Sequence, residues 1–322
     1  MFLICQLDII QLFLFNFACQ KNNVPMEKKT NLKLSRRLLL LLCLMLLGVF
    51  VASIAMFLVP ENDLFLMLTI QEISAFMLPA IVTMAILYRR PFHVMGMDRA
   101  PSWFAIAVVI VFELVSLPAM NWLVEMNKAM SLPSWMAGIE RAMRAAEDSA
   151  TEITQQLLDI NSVWQLIISV FVVGFMAGLS EEMLFRGAML RTMQDSRLGK
   201  HAVVWITAIL FSALHLQFYG FVPRMLLGVW LGYLFVWTGS LWVPIIAHTL
   251  NNSTVVVMSY LSNKGVIPEG FSDNLGLPAA GSFPWLATCS LIVSIAIIIW
   301  ANNYFTKKEN KLNISRENEL PL

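Results

Sequence analysis

Two adjacent carboxylates, Glu181 and Glu182, and an arginine four residues on, Arg186, stand inside an apolar run that begins at Val163 and continues through Leu190. Charges that deep in a hydrophobic run are costly, and so they are rare and mostly functional. On a helix Glu182 and Arg186 share a face and can pair. Glu181 is turned by about 100° from Glu182 and is left without that partner. One carboxylate reads as neutralised and the other as free for chemistry. Taken alone, the pattern also fits a structural ion pair that pins two helices.

Farther along, His215 and His248 each fall within an apolar stretch, and Asn252 follows His248 by one helical turn. A single buried histidine is commonly a satisfied core group. Two of them, with an asparagine and a glutamate pair on another segment, are harder to assign to packing. The set supplies what amide hydrolysis needs. Burial makes a carboxylate a better general base, and an imidazole can orient water or share its proton. A second imidazole and an amide N–H₂ on one helix face can hydrogen-bond a developing oxyanion. By residue type alone, this is a polar intramembrane site of a hydrolase or a proton-coupled transporter. The other histidines, His93 and His201, fall in polar linkers and read as solvated.

The elements that must position this set follow from composition. Of 322 residues 58% are hydrophobic and 13% charged, against roughly 25% charged in ordinary soluble domains. The expected fold is an all-α polytopic membrane bundle, with the bilayer as its first partner. A net charge of +1 argues against a nucleic-acid partner. Cys5, Cys19, Cys43 and Cys289 are scattered, with neither metal spacing nor a disulfide framework. No dinucleotide fingerprint, P-loop or zincin helix motif is present.

Eight spans are expected, since about 20 apolar residues cross a bilayer. They run over 38–59, 64–88, 103–124, 163–194, 202–219, 221–237, 241–260 and 283–303. Lys28, Lys29, Lys33, Arg36 and Arg37 precede the first, Arg89 and Arg90 follow the second, Arg197 and Lys200 follow the fourth, and Lys307, Lys308, Lys311 and Arg316 follow the last. Basic clusters mark cytoplasmic ends, so both termini are expected in the cytoplasm and the turn at 60–63 outside. Residues 1–25 read as an upstream extension of the frame or an interfacial anchor, with Met26 a conventional start. The organisation is then an extension and basic leader (1–37), three helices (38–124), a connector (125–162), a catalytic core (163–260), and an outer loop with the last helix and tail (261–322). In the connector, Ile139, Met143, Ala146, Ala150, Ile153, Leu157 and Ile160 recur at steps of three and four. That is an amphipathic helix in the outer loop, lying on the membrane surface or packing on its own bundle.

At 1.5 Å per residue, Glu181, His215 and His248 lie roughly 15, 20 and 10 Å from the inner surface, so the three can converge. In chain order, Glu181-Glu182-x-x-x-Arg186, Phe211-x-x-x-His215 and His248-x-x-x-Asn252 resemble the CPBP family of type II CAAX prenyl endopeptidases and bacteriocin-processing or abortive-infection (Abi) proteins. The resemblance covers about residues 163–260. It implies an intramembrane glutamic endopeptidase acting on membrane-associated peptides or lipidated proteins. Glu181 and His215 would activate water, His248 and Asn252 would form the oxyanion site, and Glu182, Arg186 and Phe211 would support them. The family has been described as metal-dependent, and two His, one Glu and one Asn could hold Zn²⁺. Asn is a poor zinc ligand, and the expectation is a site without metal or other cofactor. Glu72 and Glu113 also lie within spans, match no motif, and are left outside the site. The competing functions are a non-proteolytic immunity or scaffold protein of the same family and a transporter. A transporter would be expected to show inverted repeats and broken helices, and neither is evident.

Overall fold

A computed structural model describes residues 28–60, 63–279 and 281–318, with side chains described to residue 307. The expectations for residues 1–25, Cys5, Cys19, the tip of the 60–63 turn and the side chains of Lys308, Lys311 and Arg316 lie outside the described residues. The fold is all-α. Nine principal helices follow one another: α1 Leu34–Met56, α2 Leu64–Leu87, α3 Trp103–Lys128, α4 Ala137–Leu158, α5 Val163–Gln194, α6 Lys200–Leu214, α7 Phe221–Thr238, α8 Trp242–Asn263 and α9 Trp285–Asn318. Among the described residues the one β pairing is an isolated antiparallel bridge between Lys28 and Tyr88.

Six helices, namely α1, α2, α3, α5, α9 and a stretch from Phe218 through α7, are long and apolar enough to cross a membrane. The remaining two of the eight expected spans are α6, which ends just before His215, and α8, which carries His248 and Asn252. α6 has only 15 residues, and α8 is long but interrupted by polar side chains. The expected crossing at 202–219 is therefore shorter than its hydropathy suggested. The helix stops at Leu214, Leu216 takes a left-handed φ of 56°, and a short 3₁₀ turn at Phe218–Gly220 leads into α7. One polar contact satisfies an orphan carbonyl of such an end: His215 Nδ1–H donates to Phe211 O (2.8 Å). The Ser212 hydroxyl ties α6 to the start of α7 by donating to Phe221 O (2.7 Å).

One buried cluster, including Leu41, Met84, Met95, Leu184, Phe185, Val204 and Phe211, joins α1, α2, α5 and α6. A second, including Val109, Phe112, Trp230, Leu234, Val243 and Phe305, joins α3, α7, α8 and α9. The outer faces carry exposed Leu39, Leu46, Phe50, Leu114, Ile292 and Ile299, an apolar exterior of the kind a bilayer covers. Small residues set the helix spacing. A Cβ on Gly178 of α5 would meet Thr249 Oγ1 of α8 at 2.9 Å, and one on Gly228 of α7 would meet Ala208 of α6 at 3.1 Å. Such close approaches are a general device of membrane helix packing. Here they bring the glutamate helix against the His248 helix. Pro118 inside α3 removes one ladder donor, and Ser290 of α9 spans the break next to it. Its hydroxyl donates to Val115 O (2.5 Å) and accepts from Ala119 N (3.1 Å).

The amphipathic helix of the connector is α4. Ile139 and Ile153 are exposed and none of its residues is fully buried. It touches the bundle chiefly at the turn before α7, where Arg144 lies over the Tyr219 ring (4.4 Å) and Glu147 accepts from Tyr219 N (3.3 Å). At the opposite end of α5, Asp195 gathers Lys28 (2.8 Å), Arg37 (2.9 Å) and the Tyr88 hydroxyl (2.9 Å). Burial opposes ionisation of Asp195, but hydrogen bonds from Lys28 and Tyr88, the Lys28 charge and the Arg37 hydrogen bond outweigh it and hold the carboxyl below its usual range.

Candidate active site

α5 is continuous from Val163 to Gln194 but not uniformly α. π-Helical turns at Val170–Met176 and Met183–Leu190 flank the α turn Ala177–Glu182 that bears both glutamates. π Turns inside α-helices frequently mark functional sites. The first of them coincides with a backbone carbonyl, Val173 O, that accepts from Asn252 Nδ2 at 3.1 Å.

Glu182 has the partner that its spacing from Arg186 predicts. Glu182 and Arg186 are fully buried, and Arg186 Nη1 donates to Glu182 Oε1 at 2.5 Å. Arg186 Nη2 donates to Gly228 O (2.8 Å), and its guanidinium lies 4.9 Å from the centre of the Phe211 ring. His248 Nδ1 is 2.9 Å from the same Glu182 oxygen. Glu182 is therefore bound by a cation and an imidazole at once. Its second oxygen and Arg186 Nε remain buried without partners.

Glu181 is held differently. Its Oε2 is buried with no hydrogen-bond partner, and it lies 3.9 Å from His215 Nε2 and 3.9 Å from His248 Nε2. The other nitrogen of each ring fixes its tautomer. His215 Nδ1 must carry hydrogen to bond the Phe211 carbonyl, and His248 Nδ1 must carry hydrogen to bond the Glu182 carboxylate. In the neutral rings both Nε2 atoms present lone pairs toward the free Glu181 oxygen. The gaps are too wide for direct hydrogen bonds and of a size that a shared water can bridge. Phe211 packs beneath this point, its centroid 5.0 Å from His215 and 5.8 Å from His248.

Six of the seven residues singled out by the motifs are thus drawn together: Glu181, Glu182, Arg186, Phe211, His215 and His248. The seventh, Asn252, sits one turn beyond His248. Its Nδ2 donates to Val173 O, and its Oδ1 accepts from Asn251 (3.2 Å). It makes no hydrogen bond to Glu181, His215 or His248 among the described residues. Glu181, His215 and His248 are of the donor types that zinc takes. Among the described residues, however, no group of three His, Cys, Asp or Glu is close enough to form a metal cluster.

The structure adds two residues to the neighbourhood. Glu72, buried in the π-helical turn of α2, accepts from the hydroxyl of Ser180, the residue before Glu181. The signal was an acidic side chain inside a span, but no motif tied it to the others. Arg224 stands in the first turn of α7, and its charge interacts with Glu181 and His215. Its signal was a cation at the start of an apolar run, nine residues past His215. His93 is not simply solvated. It is half-buried and pairs with Asp98, whereas His201 is exposed and bonds the Tyr233 hydroxyl (2.7 Å).

Residues 163–254 match the family model described as type II CAAX prenyl endopeptidase Rce1-like. Over 155 residues the chain is 24% identical to the uncharacterized protein YpbD of Bacillus subtilis (strain 168), covering 47% of this chain and 65% of that protein. The match thus spans less than two thirds of that relative's length. No solved structure matches. All seven motif residues lie within 163–254, the stretch over which the chain is similar to the type II CAAX prenyl endopeptidase Rce1-like family model.

Proposed function

We propose that this protein is an intramembrane endopeptidase that hydrolyses peptide bonds of membrane-associated substrates, lipidated CAAX-type or bacteriocin-like peptides among them, by carboxylate-activated water. One observation carries the reading. Glu181 Oε2 is buried, partnerless and equidistant, at 3.9 Å, from two imidazole nitrogens whose tautomers leave lone pairs facing it. A water among these atoms donates one hydrogen to Glu181 and the other to His215 Nε2. As it attacks the substrate carbonyl carbon, Glu181 takes its proton. The proton then passes to the leaving amine nitrogen as the C–N bond breaks. Removing bulk water from such a site strengthens each of these interactions.

His248 supports the transition state through Glu182. After taking up one proton from solvent at Nε2, it keeps its Glu182 bond through Nδ1–H and offers Nε2–H to the oxyanion, the added charge facing Glu182. Asn252 joins as a second donor by turning its amide from Val173 O, or it holds the α5–α8 contact in place. No metal or other cofactor takes part in this reading. The basic ends of the spans and both termini face the cytoplasm.

Substrate trapping tests the function. Purified Glu181→Gln protein, nearly isosteric but without the base, should retain peptides that the wild type cleaves, identifiable by mass spectrometry. A non-proteolytic scaffold of the same family would retain the same partners in both proteins, with no cleavage by either, and its phenotype would survive Glu181→Gln.

A further inference from the structure

Arg224 is a half-buried cation whose guanidinium is only partly satisfied. Its Nη2 donates to Gln217 Oε1 at 2.6 Å, while its Nη1 is buried with no hydrogen-bond partner. A buried donor left unmade costs the desolvation of that group, and for a guanidinium the deficit is larger than for a neutral amide. Arg186 also leaves its Nε without a partner, but it is ion-paired to Glu182. The carboxylates whose charge Arg224 feels are Glu147 and Glu181. The first is committed to the Tyr219 N–H, and the second faces the two histidines.

The position of Arg224 follows from helix register. On the antiparallel pair α6 and α7, Val204 opposes Gly232 and Ala208 opposes Gly228. One further turn places Arg224 level with Ser212, next to Phe211 and just before His215. Its guanidinium folds back over Gly220, where an added Cβ would meet Nη2 at 3.1 Å and Nη1 at 3.4 Å. Gly220 thus leaves room for the head group against the turn that follows His215. That turn is also where α4 and Asn127 grip the chain. Asn127 donates to Phe218 O (2.9 Å) and accepts from Val222 N (3.0 Å). Arg224 therefore lies against the turn that follows His215, the same turn that Glu147 of the covering helix holds at Tyr219 N.

We propose that Arg224 is a substrate-anchoring residue whose free Nη1 edge receives a carboxylate of the peptide while the scissile bond lies at Glu181. The inference rests on the peptidase reading for its substrate class. A planar guanidinium with an unsatisfied N–H donor is suited to carboxylate. An anchor one step out from the reacting atoms fixes how far from the carboxylate the chain is cut. The carboxylate is supplied by the chain terminus or by an acidic side chain.

Binding and cleavage separate the possibilities. Apolar peptides with an N-terminal fluorophore, as C-terminal acid and C-terminal amide, and as amides carrying one internal Asp or Asn, are titrated by anisotropy against the full chain. Glu181→Gln is the non-cleaving background, with and without Arg224→Gln or Arg224→Lys. The background should bind one carboxylate form about tenfold or more tighter than its neutral counterpart, the effect of one charge-assisted hydrogen bond. Arg224→Gln should abolish that ratio and Arg224→Lys should keep part of it. An acid-over-amide preference assigns the carboxylate to the terminus, and an Asp-over-Asn preference assigns it to a side chain. With otherwise wild-type enzyme, the loss in Arg224→Gln should fall in KM rather than kcat. Equal binding of acid and amide, and of Asp and Asn, by the background protein overturns the proposal, as does a preference that survives Arg224→Gln. A loss confined to kcat, equal for all peptides, would overturn it in favour of an oxyanion role. If no peptide is cleaved by wild type, the peptidase reading fails, while the binding ratios still decide whether Arg224 selects carboxylate.

Discussion

Replacing Arg186 with methionine tests the central ion pair most severely. The side chain is fully buried, its Nη1 is 2.5 Å from Glu182 Oε1, and its Nη2 donates to Gly228 O. Methionine fills much of the same volume but leaves Glu182 as a buried carboxylate held only by His248 Nδ1 and leaves Gly228 O without its donor. Breaking a buried pair from one side typically costs about 3–5 kcal/mol. That is a large fraction of a typical folding free energy of roughly 5–15 kcal/mol, so Arg186→Met should be poorly folded. The second half of the cycle is more informative. Glu182→Gln removes the charge while its amide oxygen still accepts the His248 Nδ1–H. The double variant Glu182→Gln/Arg186→Met should therefore recover much of the stability lost by Arg186→Met alone, giving a coupling of a few kcal/mol, the upper range for residues in contact. The assay is unfolding of purified protein in a fixed detergent, followed by circular dichroism. Arg186→Met protein that unfolds like wild type yet has lost turnover would refute this reasoning and place Arg186 in the chemistry. Strictly additive variants would refute the pairing.

Other consequences are open to direct measurement. Glu181→Gln and His215→Ala should each remove nearly all peptidase turnover, the first without lowering the unfolding midpoint and the second with the small loss expected from removing its bond to Phe211 O; a stable protein with residual rates near wild type would exclude that residue from water activation. Asn252→Ala should cost about 10²–10³ in kcat if its amide reaches the oxyanion; a loss of stability with kcat retained would assign it to the Val173 contact instead. EDTA and 1,10-phenanthroline should leave turnover nearly intact, and full inhibition reversed by Zn²⁺ would recast Glu181, His215 and His248 as ligands. Asp195 contributes stability above the pKa of a free Asp, about 3.9, because its folded value is depressed. That contribution is lost as pH falls through the folded value, so acidification should destabilise wild type more than Asp195→Asn. Equal acid sensitivity would deny the cluster with Lys28, Arg37 and Tyr88 a role in stability. Reporter fusions at Glu147 and Gly270 should read outside, and those at Arg90 and Lys200 inside. An outside reading at Lys200 would invert the catalytic helix.

The helix order is legible in the sequence because hydropathy and basic clusters report on transfer into the bilayer, which dominates the energetics of long apolar segments. Hydropathy alone overstates α6. Its apolar run continues past Leu214, but His215 commits its Nδ1–H to a carbonyl of the last turn, and capping is invisible to a hydropathy average. Pairing of Glu182 with Arg186 can be read from i,i+4 spacing alone. The contact of Glu182 with His248 cannot, since it depends on Gly178 letting α5 and α8 approach. Glu72 and Arg224 escape a sequence reading for the same reason. Each meets the site across a helix interface, and nothing in its own stretch of chain says which neighbour it meets. The carbonyl that Asn252 bonds, Val173 O, lies in a π-helical turn of α5, and no side-chain pattern in that segment announces one.

The most direct measurement is cleavage of a fluorogenic membrane peptide by the purified full chain reconstituted in lipid vesicles, comparing wild type with Glu181→Gln at matched protein incorporation. Wild type should cleave at one defined bond, and Glu181→Gln should show only the background rate, with both proteins equally folded. Cleavage by Glu181→Gln at the wild-type rate would contradict the role of Glu181 as the base that activates water.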